Sequence, residues 1–144
     1  MTGNELIIRF RNEMSELESL KEQVKDFLKS LGLAPRDLFQ VIFTVEEIFV
    51  NIISYGYEDN RDHWITFRMS YGDATVTIGF EDDGVCFNPL TVPEPDLTLP
   101  LDERKEGGLG LHLTKHLASE ICYSRKAGKN HLTIKKAVTP CGCG

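Results

Sequence analysis

Apolar residues crowd into residues 5–11 as Leu6, Ile7, Ile8 and Phe10, which predicts a short strand. Ser15, with Glu18 three residues on, predicts a capping box at the start of a helix. Leu17, Leu20, Val24, Phe27, Leu28 and Leu31 then recur at steps of three and four, so residues 15–31 read as an amphipathic helix that Gly32 stops. Pro35 suits the first turn of a second helix, whose stripe of Leu38, Val41, Ile42, Val45, Ile48, Phe49 and Ile52 runs on to about Tyr55. Gly56 and the polar run 58–62 close it. From residue 63 the period changes to two, and segments 64–69 and 75–80, with Gly72-Asp73 between them, predict a hairpin. Residues 88–106 carry four of the six prolines and little periodicity, which reads as a long loop of the lid or binding kind. Residues 107–118 read as a glycine-led helix, and 121–125 with 131–136 as a closing hairpin around Gly128-Lys129-Asn130. The order β-α-α-β-β-loop-α-β-β predicts an α+β fold, a two-layer sandwich of a mainly antiparallel sheet with helices on one face.

A chain of 144 residues, 41% hydrophobic and 26% charged, is sized for one domain with a real core. That domain is expected over residues 1–138, with 139–144 as a flexible tail holding Cys141 and Cys143. Two thiols without a nearby histidine are too few for a closed zinc site, and scattered cysteines without a secretory leader point to reduced thiols. The net charge of −6 gives no overall footprint for nucleic acid or anionic lipid. The balance is uneven, with eight Lys or Arg against 18 Asp or Glu over residues 1–100 and eight against four thereafter. A basic C-terminal segment can meet an anion. No signal peptide or membrane-spanning run is read from the pattern, so the expected location is the cytoplasm.

Three places could carry chemistry. Glu47 and Asn51 stand four apart on the second helix and project from one face. They could be an ordinary solvated face; alternatively, Asn51 offers a carbonyl oxygen to a hard cation such as Mg²⁺ and Glu47 a base beside it. Glu81-Asp82-Asp83-Gly84 puts carboxylates at a strand end next to a glycine, which is either a turn or a place for close ligand approach. Gly107-Gly108-Leu109-Gly110-Leu111 opens a helix with free amides that could cradle phosphate, or serves as a hinge. The four histidines form no ligand set at zinc spacing.

Taken together and in this order, the motifs resemble those of the GHKL (Bergerat-fold) ATPase superfamily, especially its small anti-sigma-factor serine-protein kinases. Glu47-Ile48-Phe49-Val50-Asn51 resembles the N-box, Asp82-Asp83-Gly84-Val85-Cys86-Phe87-Asn88-Pro89 the first glycine box, and Gly107-Gly108-Leu109-Gly110-Leu111 the second. Leu132-Thr133-Ile134 resembles the threonine element of the last strand. The resemblance implies ATP between helices and sheet, with residues 88–106 as its lid. It implies that Asp82 accepts from the adenine amino group aided by Thr133, that Asn51 holds Mg²⁺, and that Gly108 and Gly110 give amides to the phosphates. Glu47 would be the base that takes the proton of an attacking serine. The implied partners are a small anti-sigma antagonist protein and a sigma factor, with a homodimer as the implied assembly. The alternative is a nucleotide-regulated protein-binding module with the same site and little or no phosphotransfer.

Overall fold

The computed structural model describes residues 5–57, 59, 61–86, 88 and 114–139. Strand β1 spans Glu5–Arg11, helix α1 Leu17–Lys29, helix α2 Pro35–Tyr55, and strands β2 and β3 span Trp64–Gly72 and Thr75–Asp82. Strands β4 (Glu120–Lys126) and β5 (Lys129–Ala137) follow a helical turn at residues 114–117. The five strands form one sheet in the order β1-β2-β3-β5-β4, every neighbouring pair antiparallel. The expected α+β sandwich is therefore the observed one, the first two predicted helices and both hairpins are present, and of the third predicted helix, at 107–118, only residues 114–118 are described, helical over 114–117.

Alternation along the strands divides the sheet into two faces. Ile65, Phe67 and Met69 of β2, Val76, Ile78 and Phe80 of β3, and Leu132 and Ile134 of β5 are buried on one face. Leu20, Val24 and Leu28 of α1 and Val41, Val45, Ile48 and Phe49 of α2 pack into the same core. Phe10 meets Phe49 edge to face with ring centroids 6.1 Å apart, which anchors the edge strand to the helix layer. The α2 helix is long and apolar enough by composition to cross a membrane. Its stripe is used instead against the sheet, as the zero exposure of Val41, Val45 and Phe49 shows.

Several local expectations are corrected. Ser15 makes no capping box, because the chain enters α1 through a 3₁₀ turn at Met14–Glu16 and the N-cap is Glu16 with no side-chain cap bond. Glu16 instead accepts from the Arg11 amide at 3.2 Å. The first hairpin turns at Asp73 and Ala74, both at positive φ, rather than at Gly72-Asp73. The second turns at Ala127 and Gly128, with φ of 53° and 76°, so Lys126 faces Lys129 and Asn130 lies inside β5. Thr139, assigned to the tail, is part of the fold: its amide donates to Asp37 at 2.6 Å and its carbonyl accepts from Ala34. Residues 140–144 with Cys141 and Cys143, and nearly all of the expected lid at 88–106, lie outside the described residues.

Two contacts gather the ends of α2, β2 and β3. The amide of Val85 donates to the Gly56 carbonyl at 2.7 Å, which brings Gly84 directly beneath that carbonyl. A Cβ on Gly84 would stand 2.3 Å from the Gly56 oxygen, so no side chain fits there. His63 makes the second contact, with Nε2 2.8 Å from Asp59 and Nδ1 3.1 Å from Asp83. Carboxylates at both ring nitrogens favour the imidazolium, and the Asp59 hydrogen bond, opposed by partial burial and assisted by Asp83, raises the pKa of His63. The ring also stacks on Tyr57 at 4.6 Å.

Gly84→Ala is expected to lower stability by about 1–3 kcal/mol, the usual cost of overpacking, measurable by urea unfolding. A protonated His63 stabilises the fold below its unfolded pKa near 6.5, and that contribution disappears as pH rises through the raised folded value. His63→Gln should therefore depress Tm more at pH 6 than at pH 9; an equal loss at both would show that the ion pairs contribute nothing.

Candidate functional site

The middle of α2 is apolar on the side that meets the sheet, yet Asn51 is only 4% exposed. A buried amide needs partners. Its Nδ2 donates to the Glu47 carbonyl at 2.6 Å, one turn back. A carbonyl only accepts, so the amide nitrogen is committed and Oδ1 is left over; among the described residues it has no hydrogen bond. A neutral oxygen held in this way suits a hard divalent cation. Glu47, half-buried on the same helix, has its carboxyl pKa raised first by burial and then by the neighbouring charge of Glu46. Glu46 itself turns to α1, where Lys21 pairs with it at 2.9 Å.

At the far end of β3, Asp82 continues the inward alternation of Val76, Ile78 and Phe80 and is 5% exposed. Its Oδ1 accepts from the Gly84 amide at 2.9 Å and from Asn130 Nδ2 at 3.0 Å. Among the described residues Oδ2 has no hydrogen bond, so it remains as an acceptor for a ligand. Burial pushes the Asp82 pKa up, the Asn130 and Gly84 bonds pull it down, and the charges of Asp83 and Arg125 act in opposite senses.

Asn130 stands directly across from Asp82 in the β3–β5 register. Its Nδ2 also donates to the Val85 carbonyl at 2.8 Å, and its Oδ1 accepts from Arg125 Nη1 at 3.0 Å and from the Tyr123 hydroxyl. Arg125 Nη1 donates in addition to the Gly84 carbonyl at 2.9 Å. Burial, followed by the neighbouring Cys86, raises the Tyr123 pKa and keeps the phenol a donor.

The sequence-predicted residues are therefore distributed as follows. Glu47 and Asn51 share one face of α2, and Asp82 and Gly84 share one bend. Gly84 uses its missing side chain to accept the Gly56 carbonyl, which lies five residues beyond Asn51. Thr133 is not beside Asp82. It pairs with Gly79 and Cys122, and because it alternates with buried Leu132 and Ile134 it points to the sheet face away from the helices. Asn130 occupies the neighbouring position instead. Gly107, Gly108, Leu109, Gly110 and Leu111 lie outside the described residues. The first described residue after them, Thr114, is 1% exposed, and its hydroxyl finds no partner among the described residues. No group of three His, Cys, Asp or Glu suited to a metal occurs among the described residues. A cavity of about 470 Å³ lies beside the Gly84 bend, lined by Gly56, Tyr57, Val85 and Arg125 among others.

Asn130, Tyr123 and Arg125 were missed from the sequence. Asn130 sits in a Gly-Lys-Asn run that resembles turn chemistry. The available signal was Ala127-Gly128, whose glycine suits the second position of a two-residue hairpin and would have shifted Asn130 into the strand.

Comparison with known proteins identifies the family and the fold. Residues 10–136 match the family described as the histidine kinase-like ATPase domain. The serine/threonine-protein kinase BtrW of Bordetella bronchiseptica is 28% identical over 102 residues, covering 71% of this chain and 72% of its own. An anti-sigma F factor of Clostridium novyi is 26% identical over 128 residues, covering 84% and 85%. The serine-protein kinase RsbW of Bacillus mycoides is 27% identical over 109 residues, covering 73% and 68%. Among solved structures, the RsbU and RsbW domains of a Mycobacterium tuberculosis protein superpose with a TM-score of 0.63 at 17% identity, covering 93% of this chain. This chain spans about a third (32%) of that one. A blue-light-activated histidine kinase of Erythrobacter litoralis gives a TM-score of 0.53 at 13% identity over 85% of this chain and 42% of its own. The match over residues 10–136 shows that the chain belongs to the histidine kinase-like ATPase domain family.

Proposed function

We propose that the chain is an ATP- and Mg²⁺-dependent serine-protein kinase that phosphorylates a small anti-sigma antagonist and, in a separate complex, holds a sigma factor, working in the cytoplasm. The observation that carries this reading is the pair of leftover acceptors: Asp82 Oδ2 at the end of β3 and Asn51 Oδ1 one turn from Glu47 on α2. The names of the relatives supply the substrate class, because they include both anti-sigma factors and serine-protein kinases.

The residues divide the work by chemistry. Asp82 offers a carboxylate oxygen to the exocyclic amine of adenine and would repel the 6-oxo group of guanine. Asn51 presents a carbonyl oxygen that, unlike a carboxylate, leaves the cation its full charge. Mg²⁺ so held would neutralise charge that develops on the transferred phosphoryl group. Glu47 accepts the proton of the attacking serine hydroxyl, and its raised pKa makes it a stronger base than an exposed carboxylate. The glycines at 107–111 are assigned to the phosphates, and Asn130 rather than Thr133 is assigned to support Asp82.

Asp82→Asn keeps an Oδ1 acceptor for Gly84 and Asn130 but replaces Oδ2 by a donor. Because burial makes the Asp82 charge costly to the fold, the variant should keep or raise the Tm of the nucleotide-free protein. Losing a bond to a charged acceptor costs about 1.5–3 kcal/mol, so ATP affinity should fall roughly 10- to 100-fold. A thermal melt without nucleotide checks the first half and calorimetric titration with ATP the second; unchanged affinity excludes Asp82 from the base site.

Glu47→Gln should leave ATP affinity within about threefold while slowing phosphoserine formation on a candidate antagonist by about 10²–10⁴-fold. The base must be deprotonated and its pKa is raised above the ordinary 4.5, so the wild-type rate should fall on acidification at a pH above that value. ATP binding without phosphoserine on any antagonist tried, by mass spectrometry, would favour a nucleotide-gated binding module.

A further inference from the structure

Asn130 uses all of its hydrogen-bonding capacity within one small region. Its orientation follows from its neighbours. Arg125 can only donate, so the amide atom 3.0 Å from its Nη1 is the oxygen. The Val85 carbonyl can only accept, so the amide atom 2.8 Å away is the nitrogen. Both ends of the amide are thus determined independently, and turning it over would break both contacts. The consequence falls on Asp82, whose Oδ1 receives the second hydrogen of that nitrogen together with the Gly84 amide.

An oxygen that already receives two N–H donors is a poor seat for a proton. The two donors also fix the plane of the carboxylate and favour its ionised form, in which Oδ2 offers lone pairs only. Building on the proposed nucleotide site, we propose that Asn130 is a positioning residue for nucleobase choice: clamped by Tyr123 and Arg125, it holds Asp82 as a pure acceptor that takes a 6-amino purine and refuses a 6-oxo purine.

The chemistry of the alternative makes the role specific. Without the clamp the Asp82 carboxyl can rotate and carry a proton, whereupon it donates to a 6-oxo group as readily as it accepts from a 6-amino group. Burial and Asp83 both push it towards that neutral form, and the Arg125 guanidinium is the charge that opposes them. Asn130 therefore governs the contrast between two nucleotides more than the affinity for either. A residue that merely braced the β3–β5 end would weaken both equally.

The test compares ATP with ITP, which differ at the 6-position amine and oxo group and in the ring proton that accompanies it. Calorimetric titrations of both nucleotides with Mg²⁺ are run on the wild-type chain, on Asn130→Ala and on Tyr123→Phe. The wild type should prefer ATP, and Asn130→Ala should lower the ATP-to-ITP affinity ratio about tenfold, mostly through weaker ATP binding. Tyr123→Phe removes one of the two donors to the amide oxygen and should shift the ratio the same way by about two- to threefold, which keeps the test open if the alanine variant does not fold. An unchanged ratio in the variants that fold, or equal weakening of both nucleotides, overturns the role of Asn130 while leaving the nucleotide site standing. A wild-type chain that binds ATP and ITP equally also overturns it. Failure of the wild type to bind ATP at all overturns the site reading itself.

Discussion

A carboxylate on the buried face of a sheet is the constraint around which this end of the molecule is arranged. Asp82 follows Val76, Ile78 and Phe80 in strict alternation, so the β-strand that builds the core also delivers a charge into it. Burying that charge is costly unless it is hydrogen-bonded. The solution draws on four residues from three parts of the chain: Gly84 at the bend, Asn130 across the ladder, and Tyr123 and Arg125 of the edge strand behind it. Gly56 completes the bend from α2 by accepting from Val85. Among the described residues the arrangement satisfies one carboxylate oxygen and leaves the other without a hydrogen bond.

The α2 helix shows the same division on a helical period. Val41, Val45, Ile48 and Phe49 are committed to the core, while Glu47 and Asn51 occupy the adjoining face. Asn51 is buried, and among the described residues its carbonyl oxygen has no hydrogen bond, because the helix itself takes its nitrogen through the Glu47 carbonyl. Stability and chemistry thus share one element, with the polar pair placed where the core stripe ends. The solved structures that share this architecture do so at 13% and 17% identity, which fits a fold specified by alternation and helical stripes more than by particular side chains.

What could be read from the sequence follows from which interactions are local. Both long helices, with Gly32 and Gly56 ending them, and the placement of Glu47 beside Asn51 depend on periods within one segment, and they are where the pattern placed them. Asp82 was legible because a run of alternating residues ended in it. The second hairpin was legible but its turn was not, since Gly128-Lys129-Asn130 has turn composition while the register was decided by a two-residue turn at Ala127 and Gly128. Thr133 was expected to aid Asp82 through the resemblance of Leu132-Thr133-Ile134 to a threonine element, whereas the register sets Thr133 opposite Gly79 and Asn130 opposite Asp82. The capping box at Ser15 failed for a related reason: a 3₁₀ turn and the Arg11–Glu16 contact set the entry to α1, and neither leaves a mark in hydrophobic spacing. The clamp of Tyr123, Asn130 and Arg125 joins two strands to a bend about 40 residues earlier, a distance over which no sequence period carries information.

The central claim is that adenine is read by a carboxylate acceptor with a divalent cation nearby. Thermal-shift titration of the intact chain with ATP, ADP and GTP, each with and without Mg²⁺, tests it most directly, because a ligand that binds only the folded state raises Tm by mass action. The account predicts a concentration-dependent rise with ATP and ADP, a larger one for ATP when Mg²⁺ is present, and none with GTP. No rise with ATP, or an equal rise with GTP, would contradict it.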